Sequence, residues 1–429
     1  MRVTLAYGSR GLDVLVPDDS VVVEGIEPAA LADETGAVRR SLRAPLSGPA
    51  LGDLVGEAGR PAGTVVVAFP DLTRPMPNTT VLPPLLAELE AAGAGPDRVE
   101  LLCATGTHRQ ATPAEMAALV GRDVVSRYRV HDHAADDGLH LPVGEVEGTP
   151  VLLDRRYVEA GLRIVTGFVE PHFFAGWSGG PKGACPGLAA TPTILEAHSP
   201  ARIAHGDATW LVTDGNPVHE FVSAATALCP PDLSLDVTID SRRRLTGVFT
   251  GVLPDSHRAA CAFASRSVTQ VVDGPFDVVL TTNGGHPLDR NLYQSVKGMA
   301  AAERVVADGG VIIMAAACGD GLPAQGAFAR ILRSTSRADQ LLGAGGPGEL
   351  DGWQAQILGR VLGRADVWMY SDGLSDEAIA SGFMTPVRDL AAAVAEALAR
   401  RGPDARLCVL PRGPLIVPSI PGAAPVRRG

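Results

Sequence analysis

Aromatic residues are scarce in this 429-residue chain, at 4%. With 46% of residues hydrophobic and 20% charged, the composition is that of a globular protein whose core is filled by Val, Leu and Ala. No run of about 18 apolar residues offers a membrane span. The first residues, Met1-Arg-Val-Thr-Leu-Ala-Tyr-Gly8, lack the apolar stretch and cleavage site of a secretory signal and read as a strand. The six cysteines (Cys103, Cys185, Cys229, Cys261, Cys318, Cys408) are scattered without a C-x-x-C pair. That pattern argues against disulfides or a zinc knuckle and for reduced thiols in the cytoplasm. No basic block offsets the net charge of −11, which excludes nucleic acid as a main partner. There is no H-E-x-x-H helix, no internal repeat and no low-complexity tract.

The pattern present is strand alternating with helix. Thr64-Val-Val-Val-Ala-Phe69 is a continuous apolar run of the kind buried on both sheet faces. A helix follows near 79–92, then a strand at Val99–Ala104, then a helix opened by the capping box Thr112-Pro-Ala-Glu115. Arg163–Val169 is a further strand, and Leu233–Ile239 with Leu245–Phe249 alternates like a hairpin. After Asp273-Gly-Pro275 a second series begins, with strands at 276–282, 310–314, 366–370 and 407–411. Helices are expected near 288–307, 326–343, 351–363 and 386–400. Residues 423–429 are expected to fray. The fold class is therefore α/β: two domains, 1–270 and 271–429, with mostly parallel sheets flanked by helices and an active site in the interdomain cleft.

Ligands of such sheets sit beyond the carboxyl ends of the strands. Three strands end in polar clusters there: Asp71-Leu-Thr-Arg74, Gly106-Thr-His108 and Glu170-Pro-His172. The last opens the densest stretch of the chain, Gly167 to Gly187, in which Trp177, Gly179 and Gly180 precede Pro181-Lys182. Glycines let backbone N–H groups approach an anion, and a neighbouring lysine can act as counter-charge or nucleophilic amine. A P-loop is excluded, because Gly183 stands where Ser or Thr must follow the lysine. A purely structural glycine turn stays open as an alternative.

Other candidates are weaker alone. Asp71 and Arg74 can bind an anion or simply cap the next helix. His108 and His172 suit acid/base work, although lone histidines are more often structural. His198, at a helix end before Pro200, can ligate a transition metal, but no ordinary ligand set surrounds it in sequence. Tyr293-Gln294-Ser-Val-Lys297 puts Gln294 and Lys297 on one helical face. His131-Asp-His-Ala-Ala-Asp-Asp-Gly-Leu-His140 has a metal-like composition, but reads as a solvated loop.

In combination and order, these motifs resemble the nickel-dependent lactate racemase family. The matching elements are Asp71-x-x-Arg74-Pro, Gly106-x-His108, Glu170-Pro-His172, the glycine run to Pro181-Lys182, His198, and Tyr293-Gln294-x-x-Lys297. Trp353-Gln-Ala-Gln356 looks like the family's tryptophan segment. The resemblance implies a racemase or epimerase of a small 2-hydroxy acid. It implies nickel held in a pincer nucleotide, a nicotinate-derived mononucleotide attached at Lys182 and supplied by cofactor-synthesis proteins. His198 then matches the nickel ligand, and His108 and His172 match two acid/bases. Arg74, Gln294 and Lys297 match residues that place the substrate, with Asp71 in support. Trp177, Gly179, Gly180 and Tyr293 are the remaining candidate cofactor contacts, and the N-terminal domain is expected to carry the cofactor. A metal-dependent hydrolase or a nucleotide-using enzyme is the rival reading.

Overall fold

A computed structural model of the protein describes residues 1–56, 63–323, 326–343 and 349–421. The tail at 423–429 lies outside them. The chain forms two compact units. One comprises residues 27–197 and 211–266; the other comprises 1–26, 198–210 and 267–429. The chain thus passes between units after residues 26, 197, 210 and 266, where the sequence suggests a single boundary near 270.

The first unit is built on a six-stranded sheet. Its order is Leu245–Gly251, Leu233–Ile239, Leu162–Phe168, Val65–Pro70, Val99–Ala104, Arg129–Asp132. All neighbours are parallel except the first pair, which forms the expected antiparallel hairpin. The apolar run at 65–69 is continuous because both faces are covered. Val65, Val67 and Phe69 pack with Leu82, Leu85 and Leu89 of the helix Asn78–Ala91. Val66 and Ala68 pack on the opposite side with Tyr157, Phe221 and Val222. Each such side chain contributes roughly 1.5–3 kcal/mol by leaving water. The capping box forms as expected: Thr112 accepts from the Glu115 backbone N–H, and Glu115 caps the Thr112 N–H.

Sheet order explains where this unit can bind a ligand. From Val65–Pro70 the chain adds Val99–Ala104 and Arg129–Asp132 on one side, then Leu162–Phe168 on the other. The reversal leaves a crevice beyond the carboxyl ends of Val65–Pro70 and Leu162–Phe168, the topological switch point of an open sheet. Asp71 and Glu170 follow those two ends.

The second unit holds an all-parallel sheet, ordered Thr385–Val387, Ala365–Tyr370, Val306–Ala315, Phe276–Thr282, Leu407–Leu410, Val21–Val22. One face packs Val278, Leu280, Ile313 and Val409 against the helix Leu390–Arg401 and the N-terminal hairpin. The helix expected at 288–307 spans Leu292–Glu303, because Asn291 caps it by accepting from Gln294 N–H at 3.0 Å. The helix expected at 326–343 divides into Phe328–Ser334 and a 3-10 turn, Ala338–Gly343. Thr335 Oγ1 donates to Ile331 O and Gln340 caps Ser336 N–H, and such local bonds end a helix. No helix among the described residues is long and apolar enough to cross a membrane.

The His131–His140 tract is only in part the solvated loop expected: residues 136–139 form an exposed turn, but the histidines do not lie in it. His131 lies in the strand Arg129–Asp132 and His140 starts the strand His140–Val146. His133 is wholly buried, 3.2 Å from Asp154 Oδ2 and 3.0 Å from Ala189 O. Its ring meets that of His140 edge-on at 5.1 Å. These residues tie the sheet edge to the segment after the glycine run.

Candidate active site

The first unit gathers one group of candidates at its switch point. After Val65–Pro70 the chain turns so that Arg74 N–H donates to Asp71 O at 3.2 Å. The Asp71 carboxylate is nearly buried. Its Oδ1 accepts from Thr73 Oγ1 at 2.8 Å, and its Oδ2 lies 2.9 Å from His108 Nδ1. Burial alone raises the Asp71 carboxyl; the His108 hydrogen bond and the charge of Arg74 outweigh it and hold the group below its ordinary range. His108 reaches Asp71 because Thr105–His108 is a turn, with His108 N–H donating to Thr105 O at 3.1 Å. Gly106 sits there at φ +57° and donates to Gly187 O at 3.0 Å, tying this turn to the far end of the glycine run. A carboxylate can only accept, so His108 carries its proton on Nδ1, leaving Nε2 as the basic nitrogen on a half-exposed ring.

His172 is held differently. Pro171–His172 pairs antiparallel with Gly176–Trp177 in a small hairpin. Its tight return needs Gly176 at φ +77°, where a Cβ would stand 2.0 Å from Val212 O. His172 Nδ1 accepts from Ala175 N–H at 3.2 Å, so the neutral ring carries its proton on Nε2. The ring is 7% exposed, stacked on Phe173 and edge-on to Phe174. Phe173, Phe174 and Trp177 are all buried. Arg74 pairs with Glu170 at 3.3 Å, a partner the sequence reading left without a role. The signal for it is position alone: both residues follow strands that flank the switch point.

The glycine run continues with Gly179 and Gly180 at φ +73° and +51°, then the 3-10 turn Gly180–Gly183. This turn carries Lys182, whose Nζ lies 5.8 Å from the centre of the Phe174 ring. Trp177 Nε1 donates to Leu211 O at 3.2 Å. Phe174 thus lies between the Lys182 amine and the His172 ring, which it meets edge-on. The chain has two lysines among its 37 basic residues, and they are Lys182 and Lys297.

The second unit holds the remaining candidates. His198 immediately follows the helix Thr191–Ala197 and lies on the segment 198–210 that belongs to this unit. The segment is fixed by Gln356 Nε2 donating to Pro200 O at 2.9 Å and Trp210 Nε1 donating to Ala300 O at 3.3 Å. The His198 ring lies 4.8 Å from that of Trp353, whose Nε1 donates to Tyr293 Oη at 3.1 Å. Gln354 donates to the Tyr293 carbonyl. On the same helix Lys297 Nζ donates to Gln294 Oε1 at 2.7 Å, so the expected one-face spacing produces direct contact. This helix is largely buried rather than a solvated amphipathic surface.

Among the described residues, no group of three or more His, Cys, Asp or Glu could hold a metal ion. All six cysteines are buried thiols.

Two family models match the chain. The lactate racemase N-terminal domain covers residues 7–210 and the lactate racemase C-terminal domain covers 271–417. Lactate racemase of Thermoanaerobacterium thermosaccharolyticum is 35% identical over 428 residues, 97% of this chain and 99% of that protein. Lactate racemase of Lactiplantibacillus plantarum is 31% identical over 420 residues, 96% and 98% of the two chains. The apoprotein structure of the T. thermosaccharolyticum enzyme superposes with a TM-score of 0.89 over 97% of this chain and all of that one. A Thermotoga maritima protein of 18% identity shares the fold, with a TM-score of 0.68 over 92% of this chain and all of that one. With both domain models matched and both racemases aligned nearly end to end, the chain belongs to the lactate racemase family.

Proposed function

We propose that the protein interconverts the enantiomers of a 2-hydroxy acid, lactate first among them, as a nickel-dependent isomerase of the cytoplasm. The α-hydrogen of such an acid is too weakly acidic for easy removal as a proton. A nickel pincer nucleotide, when bound, supplies an acceptor that takes this hydrogen as hydride and returns it. The donor set fits such a group: His198 offers one imidazole, and a ligand bringing its own sulfur and carbon donors needs little more from the protein. Lys182 fits as the point of attachment. In a chain that uses arginine for nearly every other positive charge, the two lysines sit where an amine rather than a guanidinium is required.

The observation that carries the proposal is the Asp71–His108 pair. Asp71 fixes the tautomer that leaves His108 Nε2 able to take the hydroxyl proton, and steadies the imidazolium that results. His172 serves the opposite enantiomer. Its neutral ring has Nε2–H ready to donate to the substrate oxygen; to act as base it must shift that proton to Nδ1 and release the Ala175 N–H. Arg74 engages the substrate carboxylate, and Gln294 with Lys297 engages the oxygen on which charge changes. The hydrolase alternative needs further protein ligands grouped with His198, and no observation here favours it.

The test is coexpression with cofactor-synthesis proteins, followed by metal analysis, intact mass and chiral analysis on a panel of 2-hydroxy acids. About one nickel per chain, a nucleotide adduct at Lys182 and racemisation of one acid are expected. Lys182→Ala should remove the adduct, with nickel retention measured alongside. An adduct mapped to another residue contradicts the Lys182 assignment, and activity with zinc or magnesium alone contradicts the class.

A further inference from the structure

We infer that Asp236 and His257 are positioning residues that fix the Ser178–Gly183 turn in the shape that presents the Lys182 amine; the functional half of this inference rests on the reading of Lys182 given above. Asp236 lies in the strand Leu233–Ile239, paired with Gly167 of the neighbouring strand, and is 0% exposed. A carboxylate there is costly, since a buried acid forfeits its hydration unless it is well paired. One oxygen is used on the turn and the other within the strand. Oδ1 accepts from Gly180 N–H at 2.8 Å, inside the turn, and Oδ2 accepts from Ser234 Oγ at 3.0 Å. Valine in its place would serve the sheet equally well and would leave Gly180 N–H buried without an acceptor.

His257, on the helix Asp255–Val268, holds the other end. Its Nε2 donates to Ser178 O at 2.9 Å. The ring and Pro181 of the turn both line a cavity of about 740 Å³, together with Trp177, His219 and Cys261. Three glycines are shaped around the two side chains. A Cβ at Gly167 would lie 2.3 Å from Asp236 Oδ1, and one at Gly179 would lie 2.7 Å from the same atom. A Cβ at Gly180 would lie 2.4 Å from His257 Cγ. The glycines of this turn therefore admit protein groups from behind. Lys182 N–H closes the turn on Gly179 O at 3.1 Å. Fixing the backbone at Ser178 and Gly180 limits the directions in which the Lys182 side chain can leave it.

The test uses the full-length apoprotein and four variants. Asp236→Ala and His257→Leu remove the two contacts. Asp236→Asn keeps an acceptor for Gly180 N–H, and His257→Gln keeps a donor for Ser178 O. Hydrogen exchange is read over 178–187, and Lys182 labelling by an amine-selective reagent is read against Lys297, the other lysine. For Asp236→Ala and His257→Leu, exchange should rise about tenfold or more, with a severalfold change in the Lys182:Lys297 ratio. Asp236→Asn and His257→Gln should stay within about twofold of the parent. If Asp236→Ala does not fold, the His257 pair carries the test. Parent-like exchange and labelling in the folded truncating variants overturns the inference. So does equal loss in the conservative variants, which would mark a packing role only. In the coexpressed parent protein, an adduct mapped away from Lys182 would overturn the cofactor reading while leaving the turn result standing.

Discussion

His108 Nδ1 lies 2.9 Å from Asp71 Oδ2, joining a half-exposed imidazole to an almost buried carboxylate across the ends of two adjacent strands. The carboxylate is held ionised below its usual range against the cost of burial, so it stays charged throughout neutral pH. Its contribution to stability is present above the ordinary aspartate pKa and is lost as pH falls through the lowered one. Asp71→Asn should therefore lower kcat by about 10²–10⁴ at pH 7 while nickel content stays at the parent level. Steady-state kinetics with metal analysis checks this, and parent-like kcat would remove Asp71 from the mechanism.

The different hydrogen bonds of the two histidines give a directional prediction. His108→Ala and His172→Ala should each abolish net racemisation and retain nickel. Each should still convert one enantiomer to enzyme-bound 2-oxo acid in a single turnover, and the surviving enantiomer should differ between them. Rapid-quench analysis of both enantiomers reads this out. Loss of the same enantiomer in both variants would contradict the two-base assignment.

Lys297 donates to Gln294 Oε1 at 2.7 Å, and in the proposed reaction this contact aims the amine at the substrate oxygen. Lys297→Met should reduce kcat by about 10²–10³. Lys297→Arg should not restore it, because a planar guanidinium cannot occupy the place of a compact ammonium. Kinetics on cofactor-loaded enzyme decides; full rescue by arginine would show that charge alone is needed.

His219, stacked on His257 at 5.8 Å, offers a stability test. Burial, then the neighbouring His257 and Lys182, pushes its pKa down to about 4. Between pH 6.5 and 4 the unfolded chain binds the extra proton, so stability falls as pH drops through that window. His219→Gln should weaken this acid loss, by up to roughly 3 kcal/mol over the window. Urea unfolding at pH 7 and pH 4.5 measures it, and identical losses in parent and variant would refute the assignment.

The sequence exposes the parallel sheets because a strand covered on both faces reads as an unbroken apolar run, as at Val65–Phe69. It exposes Asp71, His108 and Glu170 because strand ends are where such sheets bind ligands. It hides the support behind them. Leu233-Ser-Leu-Asp-Val-Thr-Ile239 alternates as though Asp236 faced water, yet Ser234, Asp236 and Thr238 are all buried. Their faces are covered by the glycine turn and by the helix bearing His257, and no local pattern records what packs on a strand from afar. Segment 198–210 is hidden for the same reason: its membership of the second unit depends on the long-range bonds of Gln356 and Trp210.

In the proposed reaction the α-hydrogen leaves and returns as hydride while the histidines handle only the hydroxyl proton. The most direct measurement is racemisation of lactate deuterated at carbon 2, in ordinary water, by the nickel-loaded enzyme, with mass and chiral analysis of the product. With hydride transfer the opposite enantiomer forms with its deuterium retained at carbon 2. Product that has exchanged this deuterium for solvent hydrogen at the rate of racemisation would contradict it, since that is the outcome of proton abstraction from carbon.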